Sequence, residues 1–207
     1  MRRLRHSGFS LIELMIAMLV LTTGVVGSIA IQSTAKKNTF DATQRAQASA
    51  LVHDIIERIR GNKSQLSSYA GTDYGAKTFN DVKECHKTEE TSSSTVSCTP
   101  AELATYDTYQ WDALLKGTHV TKSTTSDGTT TSSNVGGLIN PTGCIIVTKA
   151  RNEDNTADLQ QAGSVTVVVS WTGRFTTKDA NDSDGYDCGG SSTNKQRRQV
   201  SVTAYIF

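Results

Sequence analysis

An apolar run from Phe9 to Ile31, entered just after Arg2, Arg3 and Arg5, constrains this 207-residue chain more than any other feature. A helix rises ~1.5 Å per residue, so a run of this length spans the ~30 Å hydrocarbon core of a bilayer. Basic residues stay on the cytoplasmic side, which predicts residues 1–8 inside and everything after about Gln32 across the membrane. A cleaved secretory signal has a shorter apolar core followed by a small-residue cleavage site. This run is longer and holds a carboxylate, Glu13. At the bilayer centre an acidic residue costs roughly 2.5–3.5 kcal/mol on insertion scales, and less near an end. A charge that costly asks for a partner, which makes Glu13 a candidate functional residue. The averages add exclusions only. A hydrophobic fraction of 36% excludes a polytopic membrane protein, and 21 basic against 20 acidic residues give no cationic excess for nucleic acid.

The segment Gly8-Phe9-Ser10-Leu11-Ile12-Glu13-Leu14-Met15 resembles the class III signal of type IV pilins and pseudopilins. The resemblance implies that a prepilin peptidase cuts between Gly8 and Phe9, that Phe9 is then N-methylated, and that Glu13 is the family's signature glutamate at mature position five. Physics supplies the partner: cleavage creates an amine at Phe9, and methylation leaves it able to carry positive charge. In staggered packing one subunit's Glu13 meets a neighbour's N-terminal amine. Either charge alone is costly in low dielectric, and the pair attracts strongly, so it acts as a register device. The competing reading is an uncleaved signal anchor with an incidental glutamate. Loss of residues 1–8 removes three of the 21 basic residues, leaving 18 against 20 acidic.

The helical pattern continues past the membrane. Residues 33–60 contain no proline, and Ala48, Leu51, Val52, Ile55, Ile56 and Ile59 make one apolar stripe. Asp41 with Arg45 and Asp54 with Arg58 are i,i+4 acid–base pairs, and Gly61 fits a C-terminal cap. A helix over about 10–60 is predicted, apolar all round in its first half and amphipathic in its second. Gly24 and Gly27 each cost ~1 kcal/mol of helix stability relative to alanine. Close helix–helix packing explains them; a stretch that melts on assembly is the sharper hypothesis.

The polar remainder, about a quarter of the whole chain being Ser and Thr, holds all four cysteines. Beyond an exporting segment these read as two disulfides with three possible connectivities. We take Cys85–Cys98, which closes a short polar loop, and Cys144–Cys188, which ties a strand start to the loop before the last strand. Each is worth about 3–4 kcal/mol on the loop-entropy model. Thr99-Pro100-Ala101-Glu102 opens a helix that Gly117 ends, with Trp111 read as a core residue. Strands are predicted at Cys144–Lys149, Ser164–Thr172 and Gln199–Phe207, forming an antiparallel sheet against residues 33–60. Thr118–Val135 reads as an exposed hairpin or a flexible loop. The expected class is therefore α+β, the type IV pilin fold. The expected organisation is a cytoplasmic leader (1–8), a transmembrane and assembly half-helix (9–32), an amphipathic half-helix (33–62) and a disulfide-bonded head (63–207).

Ala101–Lys116 with Tyr106, Asp107 and Trp111, then Gly143–Val147 and Val167–Trp171, resemble PilV-type minor pilins, the type IV pilus modification proteins. That resemblance implies a place in a complex of minor pilins that primes assembly at or near the tip. Its partners are other minor pilins, the major pilin, the prepilin peptidase, the inner-membrane assembly machinery and a tip adhesin. It implies a single-pass inner-membrane precursor with a periplasmic C-terminus. An adhesin-type pilin, a major pilin and a type II secretion pseudopilin are the alternatives.

No catalytic constellation is legible, no cofactor is expected, and no nucleophile elbow, Walker loop or HExxH helix occurs. Cys85-His86 with Cys98 lacks a fourth zinc ligand. Asp179, Asn181, Asp182 and Asp184 are dense in oxygen ligands and make a weak calcium candidate, but Ala180 stands at the first EF-hand position and the bidentate glutamate is absent. The expectation is assembly without catalysis.

Overall fold

From Leu11 to Gly61 the chain forms one α-helix, α1, which proline never interrupts. The computed structural model describes residues 8, 10–86, 97–177, 186–190 and 195–207. Residues 1–7, Phe9 and the calcium candidates Asp179, Asn181, Asp182 and Asp184 lie outside the described residues. The chain divides into two compact units, Met1–Ala42 and Thr43–Phe207. In the first, α1 starts where the Glu13 and Leu14 N–H groups donate to the Ser10 carbonyl at 3.1 and 3.3 Å.

In the second unit the predicted apolar stripe is the buried one: Ala48, Val52, Ile55, Ile56 and Ile59 are at most 2% exposed. Gly61 is the last helical residue and not a cap beyond it. The Asn62 N–H donates to the Ile59 carbonyl, and the chain runs on into a 3-10 helix, Lys63–Tyr69, and a short strand, β1 (Gly71–Tyr74). Neither was expected, because seven and four residues are too short to show a period.

Helix α2 (Pro100–Lys116) has the predicted capping box. The Glu102 N–H donates to Thr99 Oγ1, and the Thr99 N–H donates to Glu102 Oε2 at 2.7 Å. Burial plays little part at Glu102; the Thr99 N–H and Lys83 hold its carboxyl below the ordinary value. Gly117 closes α2 at φ 66°, and a Cβ there would meet the Gly137 backbone at 1.9 Å, so only glycine fits.

The segment after α2 is a regular hairpin, β2 (Thr121–Ser126) and β3 (Thr129–Asn134). Three long strands follow, β4 (Thr142–Arg151), β5 (Asp158–Thr172) and β6 (Arg197–Ile206). With β1 they form an antiparallel sheet in the order β1-β4-β5-β6. Strand β5 starts six residues before the predicted Ser164, in a polar exposed arm that lacks alternation.

Register aligns Ile145 with Val167 and Val202, Val147 with Val165 and Ala204, and Gly143 with Val169 and Val200. These rows join the α1 stripe, Trp111 and Leu115 in one core. On the opposite face Cys144, bridged to Cys188, covers Val168. The other bridge is Cys85–Cys98, so both pairings are those chosen from sequence.

Candidate functional site

Every large apolar residue from Leu11 to Ile31 is more than half exposed. Among the described residues α1 is the one helix long and apolar enough to cross a membrane. A continuous apolar surface of this size on a polar chain marks contact with lipid or with another helix. Glu13 lies in the first turn of α1 and is exposed. At 100° per residue Glu13, Ala17, Val20, Gly24 and Gly27 fall on one face, so the carboxylate heads a stripe ending in the two glycines. A Cβ at Gly24 or Gly27 would meet nothing of this chain within 4 Å. The chain's own packing therefore does not call for glycine there.

In the head, side chains far apart in sequence converge where α1 ends. Arg58 donates to Asp54 at 2.9 Å, to Asp107 at 3.2 Å and to Gln110 at 2.7 Å. The Tyr69 hydroxyl donates to the other Asp107 oxygen at 2.6 Å and accepts from Asn62 Nδ2 at 3.1 Å. Asn62 also donates to the Pro100 carbonyl. Burial pulls the Arg58 guanidinium down, but Asp54 and Asp107 together outweigh it and hold it above its ordinary value. Burial pushes the Tyr69 phenol well up, and the Asp107 carboxylate adds to the shift.

Trp111 is buried, as expected, and donates from Nε1 to the Leu51 carbonyl of α1 at 2.8 Å. Its ring lies over Gly143, where a Cβ would come within 2.5 Å of it. Asp112 accepts from the Gly75 N–H at 2.6 Å and pairs with Lys116 at 2.5 Å, tying the turn after β1 to α2. These groups clamp elements together. Of them, the sequence had shown only the Asp54–Arg58 pair and the burial of Trp111; the partners lie up to 60 residues apart and leave no local pattern.

Among the described residues no three His, Cys, Asp or Glu side chains group to hold a metal. Cys85 and Cys98 are spent in a disulfide and offer no thiolates, and His86 contacts the Tyr106 hydroxyl.

Residues 3–29 match the prokaryotic N-terminal methylation motif, and residues 30–109 match the family described as type IV pilin Tt1218. No curated protein and no solved structure matches the chain. The two matches meet within α1, and the long helix on an antiparallel sheet has the architecture of the type IV pilin fold, whose members are structural subunits. This chain is a type IV pilin-like protein.

Proposed function

We infer that the chain is a minor pilin of the PilV type, cleaved between Gly8 and Phe9, methylated at Phe9 and incorporated at or near the tip of a type IV pilus. One observation carries the assembly mechanism: a single carboxylate, Glu13, heads the exposed stripe of an otherwise apolar half-helix. Before assembly the run from Phe9 to about Gln32 crosses the inner membrane once, with the leader 1–8 cytoplasmic and the rest periplasmic. During assembly it leaves lipid for the packed helices of the filament. The transfer leaves apolar contacts nearly unchanged, so the new attraction is between Glu13 and the neighbour's N-terminal amine, which sets the stagger. Residues 33–62 and the head 63–207 carry the contacts to other minor pilins, to the major pilin and to a tip adhesin.

The processing steps separate from the assembly step by mutation. Glu13→Ala is expected to be processed normally and to be missing from sheared pili, whereas Gly8→Val stays unprocessed in the membrane. Uncleaved Glu13→Ala protein, or processed Gly8→Val, overturns the assignment. Immunogold labelling separates the finer readings: tip-restricted label supports the minor-pilin role, and label along the shaft at major-pilin density refutes it.

A further inference from the structure

Among the described residues, strands β2 and β3 pair only with each other, in an unbroken register from Thr121 opposite Asn134 to Ser126 opposite Thr129. All of their residues are exposed, so neither face of the ribbon has a core. An isolated two-stranded hairpin is marginal in water, and further strands or a packed surface complete it. Ten of the fourteen residues from Thr121 to Asn134 are Ser or Thr, so small side chains leave the backbone open to a neighbour.

The ladder shows which backbone groups are unused. Asp127-Gly128 is a two-residue turn, which makes Ser126 and Thr129 a hydrogen-bonded pair, and such pairs alternate along antiparallel strands. The Val135 N–H donates to the Val120 carbonyl at 2.8 Å, in the same phase. Lys122 and Ser133, and Thr124 and Thr131, are therefore turned inward. Thr121, Ser123 and Thr125 on β2, and Thr130, Ser132 and Asn134 on β3, present their N–H and C=O groups outward.

Proteins guard exposed strand edges with charges, proline or bulges. Among the described residues, the edge strands β1, β2 and β6 follow that rule with Asp73, Lys122 and Arg198. Strand β3 has no charge, no proline and no bulge.

We propose that β3 pairs antiparallel with β3 of a second copy of this chain, making a four-stranded ribbon about a twofold axis at Ser132. Outward-facing residues must meet as the hydrogen-bonded pairs of the seam, and the register that uses all three on each copy has Ser132 facing its own counterpart and Thr130 facing Asn134. The edge is self-complementary, as an isologous contact requires. Charge selects this pairing over that of β2 with β2. Across β3 the two copies of Lys122 stand about 16 Å apart, three strand spacings across and two residues along, beyond a physiological Debye length of about 8 Å. Pairing β2 with β2 would bring them to within about 8 Å. The cross-strand hydroxyl contact seen between Thr125 and Thr130 at 3.0 Å is the kind of side-chain pair the new seam repeats.

The test uses the full chain in detergent, where all four native cysteines are already bridged. Opposed residues of a hydrogen-bonded pair have Cα atoms about 5.5 Å apart, within disulfide reach. Ser132→Cys is therefore expected to form a covalent dimer under mild oxidation at least about tenfold faster than Ser123→Cys, its equivalent on the β2 edge. Equal rates at the two edges, or no dimer from Ser132→Cys, overturn the proposal. Ser132→Pro removes an outward N–H and leaves the hairpin's own ladder intact. With an unchanged circular dichroism melt, it is expected to lower the sedimenting mass relative to the parent chain. An unchanged mass in that folded variant counts against β3 as the seam.

Discussion

At Asp107 three parts of the head converge on one carboxylate: Arg58 from α1, Tyr69 from the 3-10 helix, and α2 itself. Asp107 is 7% exposed, so removing it takes one acceptor from Arg58, which keeps Asp54 and Gln110, and leaves the Tyr69 hydroxyl without its acceptor. Asp107→Ala is expected to destabilise the head by about 3 kcal/mol, the cost of breaking a largely buried pair, measured by urea unfolding. The phenol adds a pH signature. Its folded-state pKa lies above the ordinary 10.0, so the folded head holds that proton more tightly than the unfolded chain does. The contribution is complete below pH 10 and is lost as the pH rises above 10 towards the folded value. Tyr69→Phe is expected to cost about 1 kcal/mol at pH 7 and to show a shallower fall of Tm above about pH 10 than the parent. Parallel Tm curves for the two proteins would remove Tyr69 as the source. Gly143 is the opposite kind of residue, defined by what it lacks. Gly143→Val pushes into the Trp111 ring, so a red shift of tryptophan emission and a loss of about 1–3 kcal/mol are expected.

The elements differ in how much of them the sequence revealed. Helix α1, α2 and the central strands were legible because each repeats its period several times and carries its own stop signals, such as the Thr99–Glu102 box and Gly117. The 3-10 helix and β1 were not, since their positions are set by Tyr69 and Tyr74 packing into a core built by distant segments. Within α1, Gly24 and Gly27 were legible as anomalies, and the structure sharpens them. With nothing of this chain within 4 Å of either position, the ~1 kcal/mol lost at each is not offset inside the subunit. On the proposed assembly mechanism, the compensation comes in the filament, through close helix approach. Replacing both glycines by alanine is expected to raise the helicity of the precursor in detergent and to lower its recovery in sheared pili. Wild-type incorporation of that variant would show that neither close approach nor local melting is needed there.

For the molecule as a whole, Glu13 was legible because a charge stands out against an apolar run, whereas the Arg58–Asp107–Tyr69 clamp was not, because it joins residues 38 and 49 positions apart. The same contrast bears on where the head begins. Polarity changes near residue 33, but every α1 residue that enters the core lies between Ala48 and Ile59, within the compact unit Thr43–Phe207. Val52, Ile55, Ile56 and Ile59 are four large side chains at most 2% exposed. At ~1.5–3 kcal/mol each their burial amounts to roughly 6–12 kcal/mol, which equals the entire stability of a typical domain. A fragment of residues 43–207 is therefore expected to be soluble and to melt cooperatively. A fragment of residues 63–207 leaves Val165, Val167 and Val169 without their cover and is expected to aggregate or to give no cooperative transition, whatever the state of its two disulfides. Differential scanning calorimetry of the two fragments decides. A cooperative melt from 63–207 would mean that the sheet, α2 and the disulfides form a sufficient core, and that residues 43–61 of α1 only lean on a domain already complete.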